Sequence, residues 1–203
     1  EGHGTSLLGE PGLVASMIGG SFWPIGTPPL IERILDGSIA AYNLPSGVLY
    51  AMLEAAAANR PGVLTRVGLE TFADPRNGGG AVNASATRRY SEIVTLGGEE
   101  YVFYHAVRPD VAFIRATAAD HDGNLVMTEE PALVGGLVLA QATRATGGLV
   151  IAQVREVHPV GSLAPHEVRI PGILVDAVVE HPRQYQTPAS RFDASLVSTG
   201  SLP

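Results

Sequence analysis

Lysine is missing from this chain; all thirteen of its basic residues are arginine. A Walker A phosphate loop needs a lysine after its second glycine, so that loop is excluded, together with Schiff-base chemistry and a lysine general base. Cysteine is missing as well, which removes disulfides, thiolate metal sites and cysteine nucleophiles. Positive charge is scarce overall, with a formal net charge of −7. Nucleic-acid-binding domains usually carry a basic excess on one face, so no nucleic-acid partner is expected. An anionic small molecule still fits if a few arginines are focused locally. Long hydrophobic runs are also lacking. No window of eighteen apolar residues is free of a polar interruption, and no basic-then-apolar leader opens the chain. The expectation is a cytoplasmic protein without a membrane span or signal peptide.

What is present suffices for a substantial core: 203 residues, 45% hydrophobic and only 16% charged, match one generous α/β domain. The opening Glu1 and the polar run Ser198–Pro203 read as the edges of a piece of a longer polypeptide.

Along the chain, Leu13–Ile18 is a short apolar piece ending at Gly19-Gly20. Thr27 can cap a short helix with prolines in its first turn, running to Leu35 and stopped by Asp36-Gly37. Ile39–Asn43 reads as a brief buried strand. Ser46 is a good N-cap for a helix ending near Asn59, with Val48, Leu49, Met52, Leu53 and Ala56 on one face. Val63–Val67 is then a strand. It leads into Gly68–Asn83, a stretch with neither helical nor strand period, containing Asp74-Pro75 and Gly78-Gly79-Gly80. Such a stretch is either a mobile surface turn or a loop whose glycines let the backbone come close to a bulky ligand.

Glu92–Leu96 and Glu100–Tyr104 read as a hairpin closed by Gly97-Gly98. Asp110–Thr117 is a nearly continuous apolar strand, as in the covered interior of a parallel sheet. Ala118–Asn124 follows as a turn-rich loop. A helix is expected from Thr128 to Thr146, with Glu129 and Glu130 in its first turn and Gly147-Gly148 at its end. Leu149–Val154 and Ile173–Val179 complete the strands. Strand, helix and strand at this spacing imply a right-handed crossover and an open, mostly parallel sheet with helices on both faces.

Several chemistries find no support. No Gly-x-Gly-x-x-Gly follows a strand, no Gly-x-Ser-x-Gly elbow exists, and the six histidines include no pair at metal-binding helical spacing. Asp120-His121-Asp122-Gly123-Asn124 lacks the acidic positions of a calcium loop and reads as an Asx turn. In open α/β sheets the ligand crevice lies beyond the carboxyl ends of the strands. If Val63–Val67 and Asp110–Thr117 are parallel neighbours, the loops after them border one crevice. Asp74 and Arg76 are placed to pair and hold their loop. Gln141 and Gln153 are expected to be buried and satisfied by backbone. Arg115 needs a partner, for which Asp120 is a candidate.

Four ordered blocks carry a resemblance: Ala41–Val48; Gly68–Arg76 with Gly79, Gly80 and Asn83; Pro109–Thr117; and Ile170–Asp176. Together they resemble the acetate/propionate group of the family I CoA-transferases, from about Pro11 to Phe192. The resemblance implies an α/β domain of the CoA-transferase type over residues 1–185, lacking the family's first elements, and an interdomain linker or tail over 186–203. It implies an enzyme that moves CoA between a short-chain acyl-CoA and a free carboxylic acid. The family's route is ping-pong: a glutamate attacks the thioester, and a glutamyl-CoA thioester forms. That glutamate lies in the family's C-terminal half, so no catalytic residue is assigned here, and Glu70, Glu99 and Glu130 are not nominated.

By the same resemblance Gly68, Thr71, Phe72, Gly79 and Gly80 line an acyl-CoA crevice. CoA and acyl-CoA are substrates, and neither a further cofactor nor a metal is implied. The partners implied are a C-terminal CoA-transferase domain and further copies in a homo-oligomer. Two alternatives stay open: a non-catalytic CoA-ester-binding or scaffolding domain of the same fold, and a sugar-phosphate isomerase on a related fold.

Overall fold

The computed structural model describes residues 4–22, 28–187 and 190–197. They fall into two compact units, one from residues 1–55 and 61–106 and the other from 56–60 and 107–203. Thr27, Trp23 and Ser198–Pro203 lie outside the described residues.

The first unit opens with strand β1 (Ser16–Gly19), helix α1 (Pro28–Leu35) and strand β2 (Ala40–Asn43), and β1 and β2 pair in parallel. Two prolines begin α1, where the missing N–H is no loss, and Gly37 with φ 81° ends it. Leu30 and Ile34 on α1 pack with Ile39 and Ala41 into a small core. Helix α2 (Ser46–Ala57) follows and buries Val48, Met52 and Ala55. Strands β3 (Gly62–Thr65), β4 (Ser91–Leu96) and β5 (Glu99–His105) form an antiparallel sheet in the order β3-β5-β4. The hairpin from β4 to β5 turns at Gly97-Gly98, both with positive φ, as two-residue hairpin loops require. Tyr104 on β5 is fully buried.

The second unit has its own core. Strands β6 (Val111–Arg115), β9 (Leu149–Val154) and β12 (Ala177–Glu180) form a parallel sheet in the order β12-β9-β6. Between β6 and β9 the chain returns through helix α3 (Gly136–Ala145). Short strands β7 (Ala118–Asp120), β8 (Leu125–Val126), β10 (Glu156–His158) and β11 (Val168–Ile170) make a further sheet, ordered β10-β7-β8-β11. Ala112, Ile114, Val150, Ala152 and Val154 bury one face of the parallel sheet against Leu125, Ala140 and Ile170. Full burial of each valine, leucine or isoleucine side chain contributes about 1.5–3 kcal/mol.

The α/β class with parallel pairing and open sheets stands, and several local expectations need correcting. The strands Val63–Val67 and Asp110–Thr117 are not neighbours: β3 pairs antiparallel with β5, whereas β6 pairs with β9. Nor is β6 covered on both sides. It sits at the edge of its sheet, with Phe113 77% exposed and Ala112 and Ile114 buried, an alternation hidden by its all-apolar composition. Ala118–Asp120 is strand rather than loop. Ile173–Val179 divides into a 3₁₀ turn at Gly172–Leu174 and β12.

The helix expected from Thr128 begins only at Gly136. Val134 and Gly135 have positive φ, which breaks any helical run through them. Glu129 and Glu130 are engaged elsewhere: Glu129 pairs with Arg155, and Glu130 accepts from Arg115 Nε at 2.9 Å. Arg115 therefore finds Glu130 in place of Asp120, and its Nη1 also donates to the Tyr185 carbonyl at 2.6 Å. Gln141 is exposed on α3, and Gln153 is exposed too, donating to the Gln184 side chain instead of to backbone.

Glu130 is 5% exposed, so removing it strands the Arg115 guanidinium against a single carbonyl. A fully buried pair broken in this way costs about 3–5 kcal/mol. Arg115 remains 35% exposed and water offsets part of the loss. Glu130→Ala is expected to cost about 2 kcal/mol, read from the urea midpoint. No change in that midpoint would contradict the pairing.

Candidate functional site

After β3 the chain runs through residues 66–83 without regular structure except a 3₁₀ turn at Pro75–Asn77. One side chain organises this loop. Asp74 sits at the N-cap of the turn with φ −63° and ψ 127°, and its carboxylate is 1% exposed. Its Oδ2 accepts from the Glu70 N–H at 2.9 Å and from Arg76 Nη2 at 2.8 Å. Its Oδ1 accepts from the Arg76 N–H at 2.9 Å and from Arg76 Nε at 3.0 Å. The remaining Arg76 guanidinium nitrogen, Nη1, reaches Glu100 Oε2 on β5 at 3.0 Å.

The Asp74 carboxyl is accordingly held well below its ordinary value of 3.8, first by the Arg76 guanidinium and then, against the opposing effect of burial, by the two backbone N–H groups. Arg76 is pushed above its ordinary value, chiefly by Asp74 and then by Glu100. The pairing expected from the Asp-Pro-Arg spacing is thus present, and it extends to β5.

The far end of the loop is fixed by backbone. Gly80 donates to the Phe72 carbonyl at 2.9 Å, Asn43 donates to the Gly80 carbonyl at 2.7 Å, and Val82 donates to the Ala41 carbonyl at 2.8 Å. The Asn83 amide donates to the Ile34 and Ile39 carbonyls at 2.7 and 2.8 Å, tying the exit of the loop to α1 and the entry of β2. Tyr104 donates to the Val67 carbonyl at 3.1 Å, and burial raises its phenol above the ordinary range. These anchors, apart from Asp74 and Asn83, had no signal in the sequence.

All five residues nominated for the crevice lie in this one loop. Gly68 and Gly80 are buried and closed in by protein: a side chain at Gly68 would run into the Tyr104 hydroxyl, and one at Gly80 into the Asn43 carbonyl and the Leu44 methyl. Both have positive φ, 101° and 83°. Gly79 also has positive φ but looser surroundings, where a Cβ would stand 3.6 Å from its nearest neighbours. Thr71 caps its own turn, donating to the Gly68 carbonyl at 2.8 Å and accepting from the Ala73 N–H at 3.2 Å. Phe72 is not core: it is 57% exposed. The loop is therefore a rigid support that presents one aromatic ring to solvent.

In the second unit, Asp120 closes the Asx turn expected there. Its Oδ1 accepts from the Asp122 and Asn124 N–H groups at 3.0 and 2.9 Å, and both oxygens accept from the Asn124 amide. Among the described residues no group of three or more His, Asp or Glu could hold a metal ion, and no helix is long and apolar enough to cross a membrane.

Residues 1–181 match the family described as Coenzyme A transferase, and the chain belongs to that family of enzymes. Among its relatives is the acetate CoA-transferase YdiF of Escherichia coli K12, 40% identical over 195 residues, which are 94% of this chain and 36% of the relative. The caffeate CoA-transferase of Acetobacterium woodii is 40% identical over 181 residues, 87% of this chain and 33% of the relative. The crystal structure of the YdiF acyl-CoA transferase apoenzyme from E. coli O157:H7 superimposes with a TM-score of 0.89 at 37% identity, covering 98% of this chain and 38% of that one. The chain thus spans a little over a third of the length of these relatives.

Two predictions come from the loop. Asp74 has a folded-state pKa below its unfolded value, so its contribution to stability is complete above about pH 4–5 and is lost as pH falls below 3.8. Asp74→Asn should lower stability by about 2 kcal/mol at pH 7. The deficit should shrink as both proteins are acidified below pH 3.8, measured by urea denaturation across pH; a deficit independent of pH would contradict the assignment. Gly80→Ala meets both positive φ and backbone crowding, and should cost about 2 kcal/mol or more. Gly79→Ala meets positive φ alone and should cost about 1 kcal/mol, so equal losses in urea denaturation would overturn the distinction.

Proposed function

We propose that this chain forms part of a CoA-transferase that moves CoA between a short-chain acyl-CoA, such as acetyl- or propionyl-CoA, and a free carboxylic acid. The observation that carries the reading is the 40% identity to an acetate CoA-transferase over nearly the whole chain. In this reading the nucleophile is a glutamate outside these 203 residues, in a C-terminal CoA-transferase domain. Its carboxylate attacks the thioester carbonyl and expels the CoA thiolate, leaving an acyl-glutamyl anhydride. The thiolate then attacks the glutamyl carbonyl, releases the first acid and forms a glutamyl-CoA thioester. The second acid reverses the two steps. Atoms balance throughout, and CoA acts as a substrate with no further cofactor.

The contribution of this chain is the placement of substrate. Gly68, Thr71, Phe72, Gly79 and Gly80 form one wall of the acyl-CoA crevice, with the Phe72 ring as the apolar contact and the glycines fixing the backbone beneath it. A carboxylate is a modest nucleophile, so a wall that holds the thioester in place matters to the rate. The working form is taken to be cytoplasmic and homo-oligomeric.

The test is transfer by the complete enzyme from acetyl-CoA to a set of carboxylic acids, with borohydride trapping of the glutamyl thioester. Transfer with a trapped glutamate supports the reading. Tight calorimetric binding of acyl-CoA with neither turnover nor adduct would replace it with the non-catalytic binding domain. Phe72→Ala should lower kcat/KM for acyl-CoA roughly tenfold, the loss expected when a buried aromatic contact is removed, while leaving the urea midpoint within experimental error. Unchanged kcat/KM would remove Phe72 from the crevice.

A further inference from the structure

Next to the loop, in the same unit, residues 86–91 bend past Gly79 and leave an open recess of about 170 Å³. Its walls include Gly79, Thr87, Arg88, Arg89, Tyr90 and Ser91, and no acidic residue is among them. Ser91 is 4% exposed, and its Oγ has no hydrogen-bond partner. A buried hydroxyl left in that state is costly unless something meets it. A Cβ on Gly79 would stand 3.6 Å from this Oγ, so the hydroxyl borders the space that the glycine leaves free.

Arg88 is held in place on both of its ends. Its backbone N–H donates to the Tyr42 hydroxyl at 2.7 Å, and its guanidinium lies 4.8 Å over the centre of the Tyr90 ring. Tyr90 is itself fixed by Tyr42, edge to face at 4.8 Å. Arg89 is exposed, and neither arginine pairs with a carboxylate among the described residues. Of the acids adjacent in sequence to the recess wall, Asp74 is occupied by Arg76 and two backbone N–H groups, and Glu92 faces His105 at 3.8 Å.

We propose that this recess binds a tetrahedral oxyanion, either free inorganic phosphate or the phosphate group of a nucleotide. Two guanidiniums, a buried hydroxyl and no competing carboxylate make a set of donors, in a chain whose net charge is −7. Guanidiniums offer forked donors that match phosphate oxygens, and a desolvated hydroxyl adds a third direction. The glycine wall leaves room for the group to approach. The recess shares Gly79 with the crevice wall proposed above, so a nucleotide phosphate here rests on that reading, whereas a free phosphate does not.

The experiment is titration of the chain with inorganic phosphate at constant ionic strength, followed by thermal shift and by ³¹P line broadening. A saturable response is expected, with acetate at the same concentrations giving none. Arg89→Gln and Ser91→Ala should each weaken phosphate binding about tenfold, the loss of one hydrogen bond to a charged group. Without phosphate, Arg89→Gln should melt as the wild type does, and Ser91→Ala at the same temperature or higher because it removes an unpartnered hydroxyl.

A parallel titration with adenosine 3′,5′-bisphosphate identifies the source. Binding tighter than inorganic phosphate assigns a nucleotide phosphate, and equal or weaker binding assigns the free ion. The proposal is overturned if the wild type shows no saturable response to phosphate, if both variants respond like the wild type, or if acetate binds as well. No arm measures CoA transfer, so failure here leaves that reading intact.

Discussion

The loop after the first antiparallel strand depends on one buried carboxylate. Asp74 gathers the Glu70 and Arg76 N–H groups and the Arg76 guanidinium onto two oxygens, and Arg76 passes the constraint to Glu100 on the neighbouring strand. A long segment with so many glycines would otherwise lose much conformational entropy on ordering. Charge-assisted hydrogen bonds, stronger than neutral ones, offset that cost at the loop's centre. Asn83 and the Gly80 backbone do the same at its exit. The glycines are then largely a packing requirement, since Gly68 and Gly80 touch Tyr104 and Asn43 where no side chain fits.

This changes what the glycine-rich stretch means. As a sequence it suggested backbone opened toward a ligand. In the fold, two of its glycines face protein and Thr71 caps a turn, while the Phe72 ring and Gly78 meet open space and Gly79 has looser surroundings. A rigid loop with one exposed aromatic is a suitable surface for an apolar ligand group, because the contact needs no further ordering when the ligand arrives. Membership of the Coenzyme A transferase family is the reason acyl-CoA is the ligand proposed for that surface.

Much of the fold was legible where local chemistry decides structure. The boundaries of α1 followed from its prolines and Gly37, the hairpin from Gly97-Gly98, and β9 from its apolar run. The Asp74–Arg76 pair was legible because its partners are two residues apart. Legibility failed where long-range partners decide. Glu129 and Glu130 looked like a helical first turn, yet Arg155 and Arg115 claim them, and the helix starts later. The apolar run of β6 gave no hint that Phe113 faces outward at a sheet edge. The Tyr104, Tyr42 and Ser91 environments join residues far apart in sequence and leave no local pattern.

The central claim is that residues 68–83 form an ordered support held by Asp74 rather than a mobile turn, and amide hydrogen exchange tests it most directly. The Glu70, Arg76 and Gly80 N–H groups, bound to Asp74 and to the Phe72 carbonyl, should show protection comparable to the Val102 and Tyr104 amides of β5. Exchange of those three at the rate of an unstructured peptide, while β5 stays protected, would contradict the account.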